Sequence, residues 1–229
     1  MTLKTDFNCD FTKEYDKQIN NVLPGYYLLH ELAQYLLEDT LDHSSKILVA
    51  GVGTGNEILY YARNNPGWSL LGFDPSEPMI KIAEQKILEN NYEDRVTLIK
   101  GLIHDVKEND FDAATSILVM HFIADNGEKL EYLKALSARL KHGAKLILVD
   151  LEGDKDSPEY EVLNSAWQKQ QLATRDDNDQ VNDEFERRKN ELHCIPQHRI
   201  ESLLSEAGFA NVYKFYKAYL VGGYVAVKI

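Results

Sequence analysis

The stretch that decides the fold is ILVAGVGTGNE, residues 47–57, in which a short apolar run leads into three closely spaced glycines. The run is typical of a buried strand, and NEILYYARNN after the glycines has the spacing of a helix. The glycines form G-x-G-x-G at 51, 53 and 55, so the dinucleotide pattern G-x-G-x-x-G is broken by Asn56. A strand, a glycine loop and a helix N-terminus together bring backbone N–H groups close to a ligand, because no Cβ blocks the approach. The stretch therefore predicts a ligand-binding loop.

Strands and helices alternate on both sides of this loop, from residue 46 to residue 151. The strand-like runs are KILVAG, SLLGFD, RVTLIKG, FDAATSILVMHF and AKLILVDLEG. Short connections between alternating elements predict an α/β fold with a parallel sheet and helices on both faces. In the helices, we expect Pro24 at the first position, Ser76 as an N-cap and Gly143 as a stop. The C-terminal run NVYKFYKAYLVGGYVAVKI predicts an antiparallel strand pair, with the two glycines as a turn or a bulge.

The pattern predicts one domain over residues 1–229. We divide it into an N-terminal helical cap (1–44), a ligand-binding core (45–152), a helical insertion (153–195) and a C-terminal helix with a strand pair (196–229). Residues 155–192 are polar and have helical character, and we interpret them as a solvated helical hairpin that forms a lid.

Composition excludes several classes of protein. The formal net charge is −12, which argues against a nucleic acid as the direct substrate because such binders usually carry a basic surface. No apolar run approaches the length of a membrane span, and the N-terminus lacks a signal-peptide pattern, so we expect a cytoplasmic protein without membrane contact. Cys9 and Cys194 have no metal-ligand spacing, so we expect reduced thiols and no metal site.

The second strand ends at an acid, Asp74, about 20 residues after the last glycine. A carboxylate at this position can accept hydrogen bonds from both hydroxyls of a ribose. It can also begin the next helix as a cap, which the following Pro75 favours, and the two roles are compatible.

Four segments together resemble the core motifs of class I S-adenosylmethionine-dependent methyltransferases: ILVAGVGTGNE, LLGFDPSEPMIKIAEQ, FDAATSILVMHFI and LKHGAKLILVD. The resemblance covers residues 45–152 and implies a doubly wound, Rossmann-like sheet of seven strands, mostly parallel, with an antiparallel C-terminal strand. It also implies S-adenosylmethionine as cofactor, with the glycine loop on its methionine part, the strand-2 acid on its ribose and the residues after strand 3 beside its adenine. The implied contacts from the core are Gly51, Val52, Gly53, Gly55, Asp74, Pro75, Leu102 and Ile103.

The outer segments VLPGYYLLHELAQYL and RRKNELHCIPQHRIESLLSEAGF resemble the flanks of small stand-alone methyltransferases and of carboxy-S-adenosylmethionine synthases. In the synthases, a tyrosine and an arginine from these flanks contact the cofactor. The resemblance places these roles on Tyr26 and on Arg188, with Arg187 as the next candidate. The alternatives are a core tyrosine and a solvated arginine.

Three positions depart from the family pattern. Val49 and Leu102 replace acids that usually hold the methionine end and the adenine, and Ile117 replaces a common asparagine. Each loss removes a polar contact of about 1–3 kcal/mol. Asp105 and Glu57 are other acids nearby, although Glu57 in a first helical turn also suits the helix dipole.

Methyl transfer mainly needs alignment of donor and acceptor, with a general base where the acceptor must lose a proton. His121, after strand 4, is the candidate base or substrate contact, although a packing role is equally compatible. Tyr15, Tyr26, Tyr27 and Trp167 are candidates for an acceptor pocket or for the core, and we assign Arg188, Tyr27 and Trp167 to the substrate.

The leading hypothesis is a methyltransferase acting on a small molecule. The alternatives are a carboxy-S-adenosylmethionine synthase that serves tRNA modification, and a cofactor-binding protein without catalysis. A homodimer is compatible with the family resemblance.

Overall fold

The computed structural model describes residue 16 and residues 18–229; Cys9 and Tyr15 lie outside this part. The strands are β1 (Lys46–Ala50), β2 (Ser69–Asp74), β3 (Val96–Lys100), β4 (Phe111–Ile117), β5 (Leu140–Leu151), β6 (Phe209–Ala218) and β7 (Val221–Lys228). The helices are α1 (Tyr26–Glu38), α2 (Asn56–Asn64), α3 (Glu77–Glu89), α4 (Glu128–Ser137), α5 (Pro158–Thr174), α6 (Asn178–Glu191) and α7 (Gln197–Glu206). A helical segment at residues 18–22 precedes α1.

The seven strands form one sheet in the order β3-β2-β1-β4-β5-β7-β6. Strand β7 runs antiparallel to both of its neighbours, and the pairs among β1 to β5 are parallel. This confirms the predicted seven-stranded, doubly wound sheet with an antiparallel C-terminal strand. The strand order reverses between β1 and β4, and ligands of open α/β sheets bind in the crevice at such a switch point.

Strand β1 is buried on both faces of the sheet. Ile47 and Val49 belong to one apolar cluster, whereas Leu48 and Ala50 belong to the cluster on the opposite face. Side chains alternate along a strand, so helices must cover both faces of a strand that is apolar throughout. The departure at Val49 is therefore a fully buried apolar residue in the sheet.

Three expected element boundaries are wrong. Helix α1 begins at Tyr26, after Gly25 in the left-handed region, so Pro24 precedes the helix. Helix α4 ends at Ser137, and Gly143 lies within β5 at a φ of +82°. The pair Gly222 and Gly223 lies inside β7, so the turn falls at residues 219–220 instead, whereas the bulge alternative agrees with a register shift of β6 between Lys214 and Tyr216, opposite Gly223.

The predicted lid is a helical hairpin of α5 and α6, and its inner face is buried rather than solvated. Trp167, Val181 and Phe185 are at most 4% exposed. The indole Nε1 of Trp167 donates to the Val22 carbonyl at 2.7 Å, and Arg175 donates to Gln18 at 2.8 Å. These bonds fix the hairpin against the N-terminal helical segment, and together the two elements cover the crevice.

Within the described residues, no helix is both long enough and apolar enough to cross a membrane.

Candidate functional site

A cavity of about 610 Å³ lies at the carboxyl ends of β1, β2 and β4, beneath the lid. That volume suits a small-molecule ligand. Of the residues predicted from sequence, the following line it: Gly51, Gly53, Asp74, Pro75, His121, Trp167, Arg187 and Arg188. The N-terminal helical segment supplies further lining residues: Gln18, Ile19 and Val22.

The glycine loop needs glycine for two separate reasons. Gly51 has a φ of +70°, and a Cβ there would collide with the side chain of Val119. Gly53 has a φ of +53°, but a Cβ there would meet nothing nearer than the Gly51 carbonyl oxygen at 4.0 Å. The space beside Gly53 is therefore open, so that a ligand can approach the backbone as the sequence pattern predicts.

Asp74 joins the second strand to the glycine loop. Its Oδ2 accepts from the Gly53 N–H at 3.0 Å, and its Oδ1 accepts from the Ser76 N–H at 2.8 Å. Burial raises the pKa of this carboxyl, although the two amides oppose the shift. A carboxylate has about four acceptor positions, so Asp74 retains capacity for ribose hydroxyls while it begins the turn toward α3.

His121 forms a buried pair with Asp150 at the cavity wall. The His121 Nδ1 lies 2.6 Å from Asp150 Oδ1, and the His121 backbone N–H also donates to this carboxylate. Burial alone would raise the pKa of Asp150, but His121, Lys129 and the Leu151 amide outweigh it and hold the pKa below its ordinary value. A carboxylate that accepts from Nδ1 leaves Nε2 as the nitrogen that can accept a proton.

Asp150 was missed from sequence, although the motif LILVD ends in this acid. The order of the strands could have indicated this pair, because neighbouring parallel strands have their carboxyl ends at the same edge of the sheet. Ile117 at the end of β4 pairs with Val149 of β5, which places the residues after them side by side.

Arg188 lies on the lid wall with an unsatisfied guanidinium. Its Nη1 is buried and has no hydrogen-bond partner. The guanidinium carbon stands 3.9 Å from the ring centre of Trp167 and 4.0 Å from that of Phe185. Burial lowers the pKa of Arg188 to about 10, which still leaves the group charged at neutral pH. The predicted alternative of a solvated arginine is wrong.

The acids near Arg188 are engaged elsewhere. Glu184 forms a bidentate pair with Arg175, with oxygens 2.5 and 2.8 Å from its nitrogens. Glu191 lies 3.5 Å from the Nε of Arg187. The charge of Glu184 still favours the charged form of Arg188, but the Nη1 of Arg188 is left without a hydrogen-bond acceptor, which a ligand in the cavity could supply.

Two of the predicted cofactor contacts, Tyr26 and Val52, line a smaller cavity of about 40 Å³ behind the glycine loop. Gly55 lines neither cavity; at a φ of +89° it begins α2, and a Cβ there would lie 3.1 Å from Ala83. Tyr27 is 54% exposed and lines neither cavity, because α1 turns it to the opposite side from Tyr26.

Leu102 and Ile103 also lie outside both cavities. The Leu102 N–H donates to Asp105 Oδ2 at 2.8 Å. Asp105 therefore caps the short turn after β3. Ile117, the third departure, lies between the cavities and lines both.

Among the residues that the structure describes, no three His, Cys, Asp or Glu side chains are grouped so as to hold a metal ion.

Residues 48–146 match the family model described as a methyltransferase domain. Demethylmenaquinone methyltransferase of Lactiplantibacillus plantarum is 28% identical over 67% of this chain and 63% of its own length. Carboxy-S-adenosyl-L-methionine synthase of Campylobacter hominis is 30% identical over 35% of each chain. The chain thus spans less than two thirds of either curated relative.

Among solved structures, Haemonchus contortus phosphoethanolamine N-methyltransferase 2 in complex with S-adenosyl-L-methionine shares the fold. Its TM-score is 0.70 at 15% identity, over 98% of this chain and 58% of that one. The match over residues 48–146 and the shared fold agree with the resemblance to methyltransferases drawn from the motifs.

Proposed function

We propose that this chain is an S-adenosylmethionine-dependent methyltransferase whose acceptor is a small molecule that carries an anionic group. The single observation that carries the acceptor class is Arg188, a partly buried cation whose Nη1 is buried without a hydrogen-bond partner, in the wall of the cavity that Asp74 and the glycine loop also line.

The cofactor half of the proposal rests on the sheet edge. Open space beside Gly53 and the free acceptor positions of Asp74 suit a ribose and the chain attached to it. When bound, S-adenosylmethionine supplies an electrophilic methyl group. Asp74 would hold its ribose and the glycine loop its methionine part, while Ile19, Val22 and Trp167 would screen the cavity from water.

The acceptor half rests on the lid. The Arg188 guanidinium lies in the corner between two nearly perpendicular rings, which restricts its orientation, and its planar fork matches a carboxylate or a phosphate. A buried cation without a partner is costly, so a ligand anion gains from pairing with it. The lid also encloses the cavity, which favours a diffusing metabolite over a polymer. The net charge of −12 supports the same choice.

His121 is the proposed general base. It lines the cavity, and Asp150 holds its ring through Nδ1. We infer that Nε2 takes the proton when the acceptor atom is a hydroxyl or an ammonium, and that Asp150 is a positioning residue that stabilises the imidazolium.

Carboxy-S-adenosylmethionine synthesis is the second candidate function. Arg188 favours it as well, because the same unpaired guanidinium would suit a carboxylate attached to the cofactor. The two candidates differ in product. The first transfers the methyl group and releases S-adenosylhomocysteine. The second needs a carboxylate compound as carboxyl donor, and the cofactor methyl group gains that carboxyl group as it loses a proton.

The experiment is an acceptor screen with purified protein and S-adenosylmethionine, in which each carboxylate- or phosphate-bearing metabolite is paired with its neutral amide or dephosphorylated analogue. Mass spectrometry follows S-adenosylhomocysteine and the methylated product. We expect turnover of at least one anionic compound and not of its neutral partner. A cofactor mass increased by one carboxyl group would establish the second candidate, and turnover of neutral partners alone would refute the role of Arg188.

A further inference from the structure

The small cavity behind the glycine loop contains a carboxylate that the proposed reaction does not use. This cavity of about 40 Å³ is lined by Glu57 together with Tyr26, His30 and residues of the loop. It shares four lining residues with the main cavity: Gly51, Gly53, Ile117 and Leu118. It therefore continues the main cavity past the glycine loop.

Glu57 lies in the first turn of α2, but it does not serve as a solvated helix-dipole residue. It is 5% exposed, and its Oε1 is buried without a hydrogen-bond partner. Burial raises the pKa of this carboxyl to about 7, although the neighbouring hydroxyls of Thr115 and Tyr61 oppose the shift. These hydroxyls are neutral and no cation offsets the burial of the carboxylate, so the chain retains this group at a cost in stability.

No side chain of the small cavity neutralises Glu57. His30 also lines this cavity, and neither of its ring nitrogens has a hydrogen-bond partner. Burial lowers the pKa of His30 to about 4, so it is neutral at physiological pH. Among the described residues that line this cavity, Glu57 is the single carboxylate and no side chain carries a positive charge near pH 7.

The methionine end of S-adenosylmethionine carries an α-ammonium group. The position where the family usually places an acid for this end is Val49, which is fully buried in the sheet. The chain therefore lacks the usual acid but holds another one at the adjoining cavity. A charged ammonium would satisfy the Oε1 of Glu57 and replace the missing contact.

We propose that Glu57 binds the α-ammonium of the cofactor in the small cavity and so takes over the role of the absent strand-1 acid. This inference rests on the proposed cofactor. It concerns a residue of α2 rather than β1, so the methionine end would be held from the helix side of the loop.

The test compares two ligands that differ at this end. S-adenosylhomocysteine carries the α-amino acid, whereas 5′-methylthioadenosine retains the ribose and sulfur but lacks the amino acid. Isothermal titration calorimetry at pH 8 gives the dissociation constants of both for the wild type, Glu57→Gln and Asp74→Asn. We expect Glu57→Gln to raise the dissociation constant of S-adenosylhomocysteine by about tenfold or more, and to change that of 5′-methylthioadenosine by no more than about twofold. Asp74→Asn should weaken both ligands, because both contain the ribose.

A second readout uses only the wild type and so does not depend on the folding of a variant. The titratable groups that face Glu57 are His30, Tyr26, Tyr61 and Tyr132. Burial lowers the pKa of His30 and raises the pKa values of Tyr61 and Tyr132, so these three groups do not titrate between pH 6 and pH 8. Binding of an ammonium requires the ionised carboxylate, so S-adenosylhomocysteine should bind about tenfold more weakly at pH 6 than at pH 8. 5′-Methylthioadenosine should show no such fall.

Equal losses for the two ligands in Glu57→Gln, or no loss for either, would overturn the role of Glu57 and leave the proposed function standing. Failure of both ligands to bind the wild type would instead refute the cofactor assignment and this inference with it.

Discussion

The two sides of the main cavity differ in how their polar groups are satisfied. On the sheet side, both oxygens of Asp74 accept backbone N–H groups of the chain itself. On the lid side, the Arg188 guanidinium contacts the rings of Trp167 and Phe185, and its Nη1 has no hydrogen-bond partner. The sheet side is thus shaped before any ligand arrives, whereas the lid side leaves a charge for the ligand to balance. This contrast fits the proposed function, in which the sheet side binds the cofactor and the lid side selects the acceptor.

The first prediction tests whether His121, which lies between the sheet side and the lid side of the cavity, takes the proton from the acceptor. We expect His121→Asn to lower kcat by about 10²–10³-fold with an acceptor from the screen, because the base that takes the proton is lost. Affinity for S-adenosylhomocysteine should not change, since the cofactor is assigned to the sheet side. The exposed His142→Asn is the matched control. An unaltered kcat in His121→Asn would remove the base from the mechanism.

The second prediction addresses the lid side directly. We expect Arg188→Ala to lower kcat/KM for an anionic acceptor by about 100-fold, or about 2.7 kcal/mol, because a charge-assisted pair is lost. The kcat/KM of Arg188→Lys should lie between that of the wild type and that of Arg188→Ala, because lysine keeps the charge but not the planar contact with the rings. Arg187→Ala is the control, because that side chain is half-exposed and pairs with Glu191. Equal losses at 187 and 188 would contradict the assignment.

The third prediction extends the contrast to Glu57, which is unsatisfied although it lies on the sheet side. Its folded-state pKa of about 7 lies above the ordinary 4.5. A raised pKa means that the favourable contribution is present below pH 4.5 and is lost as the pH rises through 7. Relative to the wild type, ligand-free Glu57→Gln should therefore gain roughly 2–3 kcal/mol of unfolding free energy between pH 5 and pH 8.

Urea denaturation at the two pH values measures this difference, with the exposed Glu84→Gln as the control. A gain that does not depend on pH would show that the Glu57 carboxyl is not held near neutrality. Saturating S-adenosylhomocysteine should reduce the gain at pH 8, because the ligand binds the wild-type carboxylate.

The smallest expected effect is on the sheet side. We expect Asp74→Ala to raise the dissociation constant of S-adenosylmethionine by about tenfold or more, which corresponds to about 1.4 kcal/mol, because the ribose loses a hydrogen-bond acceptor. Glu77→Ala, in the first turn of the following helix and solvent-exposed, should leave the affinity unchanged. A dissociation constant for Asp74→Ala equal to that of the wild type would remove the main cofactor contact from the sheet edge.

Strand and helix periodicity predicted the sheet and its crevice, because these depend on local patterns of apolar residues. The glycine loop, Asp74, His121 and Arg188 could also be found, since each follows an element end or a family motif. The pairing of His121 with Asp150 could not, because it joins the ends of two strands through side-chain geometry. Tyr27 was misplaced for a related reason: helix rotation turned Tyr26 inward and its neighbour outward.

Glu57 shows a different limit. The sequence identified an acid near the loop, but a first-turn acid usually favours the helix dipole from the surface. The carboxyl is buried beside Thr115 of β4 and Tyr61 of its own helix, and this tertiary environment is not contained in the local sequence pattern.

The most direct test of the central claim is a crystal structure of the chain with S-adenosylhomocysteine. We expect one ligand per chain in the main cavity, with its ribose hydroxyls within hydrogen-bond distance of Asp74 and its amino-acid end beside the glycine loop. A ligand whose ribose lies away from Asp74, or a cavity that stays empty at saturating concentration, would contradict the assignment of this cavity to methyl transfer.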